Sequence, residues 1–195
     1  MQKRIALVLL LACAACRGGT HSKPAPPASV NGTVGGQPMN AQDSASNVYS
    51  FDPDSEVLVY IMNVANSCTM LTASQQPSNA KVIAIQIATR SASGVSAPTA
   101  LGNYPIYTAA GVGAASGNVS LARYQTSDPT CAAMSDYEAT SGSVTLTRID
   151  ASSYAGDFDI TFSDSGTGSV VGHLTGSFNA NLCAALGPTI GGTCI

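Results

Sequence analysis

Acidic residues that alternate along a turn form the best candidate metal site in this sequence. Asp52, Asp54 and Glu56 occupy every second position around Pro53. Oxygen ligands at alternate positions of a turn can hold calcium, although the glycine and the later bidentate glutamate of an EF-hand loop are missing here. An Asp-Pro turn that leads into a strand has the same sequence. The sequence leaves both interpretations open, and it predicts no cofactor.

The residue types needed for hydrolysis are sparse. His173 is the one histidine beyond the proline-rich stretch, so a Ser-His-Asp arrangement would have to use it. The sequence contains no Gly-x-Ser-x-Gly nucleophile elbow. Two pairs of acids, Asp157 with Asp159 and Asp136 with Glu138, share a strand face and could do acid–base work. Acids that point outward from a strand ordinarily form a solvated face, so we nominate no catalytic residue and expect His173 to be exposed.

Six cysteines divide into two groups by position. Cys13 and Cys16 lie in an N-terminal apolar segment, and the other four are Cys68, Cys131, Cys183 and Cys194. An even number of cysteines in an exported chain indicates disulfides. Three pairings are possible. We favour Cys183–Cys194, which closes a short loop, together with Cys68–Cys131. A zinc site is the alternative, but its usual closely spaced ligand pairs are absent.

The N-terminus has the pattern of an export signal. A basic start precedes the apolar run 5–12, which is far shorter than the roughly 20 residues that span a bilayer. Residues 10–13 read Leu-Leu-Ala-Cys, and residues 13–16 read Cys-Ala-Ala-Cys. This segment resembles the lipobox of bacterial lipoproteins. The resemblance implies cleavage and lipid attachment at Cys16 or Cys13, and we favour Cys16 because it gives the longer apolar region.

The segments that follow divide into a tether and one domain. Residues 1–16 are the predicted signal peptide, and residues 17–29 form a linker rich in proline and alanine. Residues 30–195 have the size of a single domain. Charged residues are only 10% of the chain, with a net charge of −3 and scattered basic positions. Nucleic acid binding needs clustered positive charge, so we set it aside.

Three consecutive strands are the clearest structural feature of the sequence. They are predicted at 143–148, 154–162 and 172–180, where apolar residues alternate with polar or small ones. A period of two places the apolar side chains on one face of a pleated strand. Turn-forming residues separate the three segments. The pattern therefore predicts an antiparallel three-stranded meander.

The rest of the domain also favours strands. Segments 56–62 and 81–88 are apolar on both faces, which predicts central strands that are covered from both sides. Pro105 predicts an edge strand at 101–107, and helical turns are expected at 128–134 and 182–186. With eight to ten short strands, the predicted fold is a single all-β domain. It is an antiparallel sandwich or barrel, stapled by disulfides.

The C-terminal half carries a second resemblance. It contains Gly-x-Tyr-Pro from Gly102, Ser-Gly-x-Val-Thr-Leu-Thr over 141–147, and Gly-x-Phe-x-Ala-x-Leu-Cys over 176–183. These segments look like those of a group of Gram-negative lipoproteins. The resemblance implies an exported β-domain and no established activity.

These observations lead to three hypotheses about function. The first is a lipid-anchored domain of the cell envelope, held by its lipid at a membrane that we expect to be the outer membrane. It has a non-catalytic interaction or structural role, with envelope proteins as partners. The second is a β-module that binds a small ligand, and the third is an envelope hydrolase. An apolar pocket inside a closed barrel would favour the second hypothesis, whereas a filled interior would favour the first.

Overall fold

A computed structural model of the chain describes residues 27–188 and 191–195. The predicted signal peptide, with Cys13 and Cys16, and most of the predicted linker lie outside the described residues. The described strands are β1 (Ala28–Val34), β2 (Gln37–Pro38), β3 (Asp43–Phe51), β4 (Asp54–Met62), β5 (Gln75–Gln76), β6 (Lys81–Ser91), β7 (Gly94–Ser96), β8 (Gly102–Pro105), β9 (Gly117–Ser127), β10 (Ala133–Asp150), β11 (Ser153–Asp164), β12 (Val170–Leu182) and β13 (Thr193–Cys194). One short α-helix, α1 (Ser67–Thr72), and a 3₁₀ turn at Val112–Ala114 complete the described elements.

All the described strands except β5 and β13 form one 11-stranded sheet, which closes on itself. The hydrogen-bonded order is β11-β10-β9-β6-β4-β3-β12-β1-β2, and β11 pairs with β12 as well. Of the two predicted architectures, this pairing fits the barrel. The closing seam between β12 and β3 is parallel and consists of two residue pairs, Asn181 with Ala45 and Leu182 with Ser46. The Ser46 hydroxyl strengthens the seam by donating to the Ala180 carbonyl at 2.9 Å.

The predicted meander is confirmed as β10, β11 and β12, which pair in antiparallel order. Its apolar positions face the interior of the closed sheet, as a period of two requires. Phe158, Ile160 and Phe162 on β11 and Leu174 and Phe178 on β12 are all buried. They belong to one interior cluster to which every strand of the closed ring except β3 contributes. The cluster also contains the ring of Tyr104, which is fully buried.

Strand β4 is buried on both faces, as its sequence predicts, whereas the outer face of β6 is only partly covered, with Val82 and Ala88 buried and Ala84 and Gln86 partly buried. Val57, Val59 and Ile61 point into the interior cluster. Leu58 and Tyr60 point outward, yet they are only 1% and 3% exposed. A second apolar cluster covers this outer face, to which α1 and the chain after β12 contribute. Two layers of packing therefore hold these strands in place.

Two predicted helical turns are wrong. Residues 128–134 form a turn that leads directly into β10, and Cys131 has a left-handed φ of 63°, which a helix does not allow. The Asp128 carboxylate stabilises this turn, since it accepts hydrogen bonds from the backbone N–H groups of Thr130 and Ala132. Residues 182–186 also form a turn, closed by the Leu186 N–H on the Cys183 carbonyl at 2.9 Å. Helix α1 was not predicted, because six residues are too few for helical periodicity to emerge.

The disulfide pairing favoured from the sequence is also wrong. The bonds are Cys68–Cys183 and Cys131–Cys194, rather than Cys183–Cys194 and Cys68–Cys131. The chain after Cys183 does not turn back as a short loop. Residues 183–188 run along the outer face of the sheet, and β13 pairs in parallel with β5. Cys183 and Cys194 are therefore held at different places, one at α1 and the other at the turn between β9 and β10.

We predict that removing either disulfide strongly destabilises the domain. The bonds join residues 115 and 63 positions apart, and the chain-entropy argument gives roughly 4–5 kcal/mol for loops of such length. The double substitutions Cys68→Ala/Cys183→Ala and Cys131→Ala/Cys194→Ala should each lower the free energy of unfolding, measured by urea titration. The mixed variant Cys183→Ala/Cys194→Ala should leave two unpaired thiols, and an intact disulfide in that variant would contradict the pairing.

Candidate functional site

The structure does not assemble the predicted acidic triad into a metal site. Asp54 is used structurally, because its Oδ1 accepts a hydrogen bond of 2.8 Å from the backbone N–H of Val95 on β7. Glu56 lies further along β4 and lines a cavity with Arg90, and Asp52 is exposed in the preceding turn. Within residues 27–188 and 191–195, no group of three or more His, Cys, Asp or Glu side chains could hold a metal ion. The arrangement supports the alternative interpretation, an Asp-Pro turn that leads into a strand.

His173 meets a carboxylate, but on the open surface. Its Nε2 lies 2.7 Å from Oδ1 of Asp159, across the ladder between β11 and β12. The two side chains are 52% and 66% exposed. A general base and its partner are normally sheltered in a cleft that can also hold substrate. His173 is exposed on its strand, as the sequence predicts, and the geometry of the pair does not support hydrolysis.

Three neighbouring depressions lie on the outer surface across β4, β6 and β9, and we call them together the outer groove. It consists of cavities of about 240, 270 and 50 Å³. The first two share Gln125 and Pro188 in their lining, and the last two share Gln86 and Leu121. Gln86 is partly buried and Gln125 is exposed, so both amides face the groove and can pair with a ligand.

One wall of the outer groove is the chain that follows β12, residues 183–188, which we call the C-terminal strap. The Cys68–Cys183 bond fixes its start to α1. The Tyr60 hydroxyl donates to the Gly187 carbonyl at 2.9 Å, and the Asn47 amide donates to the Leu186 carbonyl at 2.8 Å. These bonds place Pro188 above the sheet, between the two larger cavities.

The opposite wall of the groove carries three charged side chains. Arg123 and Asp136 form an ion pair with Nη2 and Oδ2 2.8 Å apart. Glu138 accepts a hydrogen bond from the backbone N–H of Ala109, which ties the loop after β8 to β10. The acidic pair predicted on this strand, Asp136 and Glu138, is thus occupied in holding the wall together. The groove offers amides, small apolar surfaces, the Arg123–Asp136 ion pair and the charged side chains of Glu138, Glu56 and Arg90.

Burial raises the pKa of two groups on the floor of the groove. It raises the pKa of Tyr60 to about 12, and the nearby Glu56 carboxylate adds to this shift. Tyr60 therefore remains a neutral hydrogen-bond donor throughout the physiological range. Burial also raises the pKa of Glu56 above its ordinary value. The charged form of Glu56 is thus disfavoured in the folded protein.

Sequence reasoning missed the two glutamines and Pro188. The apolar segment 81–88 has isoleucines on one face, and Gln86 is the one long polar residue on its other face. A polar side chain there indicates an opening in the cover of a doubly buried strand. Pro188 follows the helical turn expected at 182–186, and the sequence gives it no role in a site. Its position above the sheet depends on the long-range Cys68–Cys183 bond, and no local pattern encodes such a bond.

Comparisons with protein-family models, with curated proteins and with solved structures found no match to this chain. Among the helices of the described residues, none has the length and apolar character needed to cross a membrane. The function must therefore be argued from the residues and the geometry of this chain itself.

We predict that Tyr60→Phe loosens the C-terminal strap. Loss of its hydrogen bond to Gly187 should lower the free energy of unfolding by about 1 kcal/mol. Hydrogen exchange of the backbone amides at 186 and 187 should become faster. Tyr104→Phe is the matched control, because it removes a comparable bond to the Ala100 carbonyl at 2.7 Å, far from the strap. Equal exchange at the strap in both variants would contradict the role of Tyr60.

We predict a pH-dependent gain of stability from Glu56→Gln. Because the folded-state pKa of Glu56 is raised above the ordinary value of 4.5, its contribution to stability is fully present below pH 4.5 and is lost as the pH rises through the folded-state pKa. Glutamine is neutral at every pH. The variant should unfold at higher urea concentration than the wild type at pH 7, and the difference should shrink towards pH 4. A variant that is less stable at pH 7 would refute the assignment.

Proposed function

We propose that this chain is a lipid-anchored domain of the cell envelope with a non-catalytic interaction role, and that its partner binds along the outer groove. The tether rests on the lipobox at residues 10–16 and on the polar linker that follows it. Two or more acyl chains anchor a protein stably, so a lipid at Cys16 or Cys13 would hold the domain at the membrane without a spanning helix.

The main observation in support of the proposal is that the interior of the closed sheet is filled, whereas the outer groove is open. The centre of the closed sheet is filled by one apolar cluster that includes Tyr104, Phe158 and Phe162. A filled interior favours interaction over an enclosed ligand. The outer groove, in contrast, is open and has two fixed walls. A rigid site loses little conformational entropy when a partner binds, which favours affinity.

The chemistry of the groove points to an extended polypeptide segment as the bound part of the partner. Gln86 and Gln125 offer both donors and acceptors, which match the N–H and C=O groups of an extended backbone. Leu121 and Ala84, both partly exposed, provide apolar contacts beside them. An envelope protein with such a segment is the partner that these contacts favour.

Two measurements in the native cell test the proposal. Mass spectrometry of the N-terminal peptide should find a lipid on Cys16 or Cys13, and substitution of the modified cysteine by serine should release the chain from the membrane fraction. A free, unmodified N-terminus would refute the tether. A photo-crosslinking residue at position 125 should capture an envelope protein in a yield that Gln86→Leu lowers about 2- to 10-fold.

The control crosslinker belongs at position 181, where Asn181 is exposed on β12 and does not line the groove. Capture at 181 that equals capture at 125 would refute the groove as the binding surface. The two measurements are independent, so the tether and the groove can fail separately. Small-ligand binding is the second candidate function, and a cavity at one end of the sheet, next to the outer groove, favours it.

A further inference from the structure

A cavity of about 260 Å³ opens at one end of the closed sheet, and we call it the end pocket. The hairpin of β1 and β2 covers it on one side. The start of β6, the end of β9 and the start of β10 form the other walls. The lining residues on which the argument depends are Val34, Lys81, Tyr124, Met134 and Tyr137. These five residues do not line the outer groove, although the pocket adjoins it through Ala80, Thr126, Ser127 and Ser135, which line both.

Tyr124 brings an unpaired polar atom to this pocket. The residue is 1% exposed, and its Oη is the one buried side-chain polar atom among the described residues that has no hydrogen-bond partner. Buried hydroxyls are nearly always paired, because an unpaired one has lost its water without compensation. Tyr104 shows the usual arrangement, with its hydroxyl donating to the Ala100 carbonyl. A partner for Tyr124 that is not part of the described chain would remove this cost.

The hydroxyl of Tyr124 is a donor at neutral pH. Burial raises the pKa of Tyr124, and the neighbouring Tyr137 adds to the shift. A neutral tyrosine hydroxyl can both donate and accept. Its O–H has no acceptor among the described residues, so an acceptor supplied by a ligand would pair it. An anionic acceptor would form the stronger bond, since charge-assisted hydrogen bonds exceed neutral ones.

The remaining walls supply a charge and an apolar surface. The Lys81 ammonium lies at the pocket and donates to the Pro38 carbonyl at 2.8 Å, and none of the salt bridges among the described residues includes it. Met134 is 70% exposed, an unusual position for a large apolar side chain. Methionine is flexible and adapts to irregular apolar surfaces, so it suits the rim of a binding pocket.

We propose that the end pocket binds a small amphipathic carboxylate. Its apolar body packs against Val34, Met134 and Tyr137. Its carboxylate accepts a hydrogen bond from the Tyr124 hydroxyl and is attracted by the Lys81 ammonium. This inference depends neither on the lipid tether nor on the outer groove.

The test uses the full chain in lipid nanodiscs, with tyrosine rings labelled with ¹³C. Sodium 4-phenylbutyrate and sodium octanoate are the probes, and 4-phenylbutanol is the uncharged control. Of the seven tyrosines in the chain, Tyr124 and Tyr137 should show the largest ring chemical-shift changes, in a saturable manner. The alcohol should bind several-fold more weakly. Failure of both acids to shift these two tyrosines at millimolar concentration would overturn the proposal.

Variants separate binding from folding. Tyr124→Phe keeps the ring but removes the unpaired hydroxyl, so it should weaken binding about 2- to 10-fold while the unfolding temperature stays the same or rises. Lys81→Met should weaken binding of the acids and not of the alcohol. Tyr104→Phe and Arg90→Met are the matched controls, and both should bind the acids as the wild type does. Affinity that is unchanged in both pocket variants would overturn the assignment.

Discussion

The burial of β4 on both faces, and of β6 on its inner face and part of its outer face, is the constraint on which the rest of the structure depends. The inner faces of these strands are buried by closure of the sheet on itself. A second cover is needed on their outer faces, which carry Leu58, Tyr60 and Val82. Leaving a large apolar side chain in water forgoes about 1.5–3 kcal/mol of stabilising free energy that burial would give. The cover comes from elements that are distant in sequence, α1 and the chain after β12. The position of the C-terminus follows from this requirement.

The two disulfides are best understood as part of that cover. Cys68–Cys183 joins the two covering elements to each other, and Cys131–Cys194 holds the end of the chain at the turn between β9 and β10. Between them the cover is incomplete above β6 and β9, and this gap is the outer groove. The groove is thus a consequence of how the apolar strands are covered, and the same bonds that protect the core keep its wall rigid. Binding at such a surface requires little reorganisation of the protein.

The fold followed from the sequence where the information is local. Alternation at 154–162 depends on side chains two residues apart, and it identified both the strand and its inner face. The doubly apolar segments 56–62 and 81–88 were likewise recognised as central strands. Prediction failed where long-range packing decides the conformation. A left-handed Cys131 replaced the expected helical turn, since this cysteine has to reach Cys194. The candidate site was predicted less well, because Asp52, Asp54 and Glu56 are close in sequence but do not converge.

The sequence by itself determined an all-β domain whose inner positions are set by a period of two, and it predicts an N-terminal lipobox followed by a polar linker. The tertiary structure decided the rest. It chose closure over two separate sheets, because a seam of two residue pairs joins β12 to β3. It chose which cysteines meet, and it brought Gln86, Gln125 and Pro188 to one groove and Tyr124 and Lys81 to one pocket. Each of these outcomes depends on contacts between distant parts of the chain, which only the packed structure specifies.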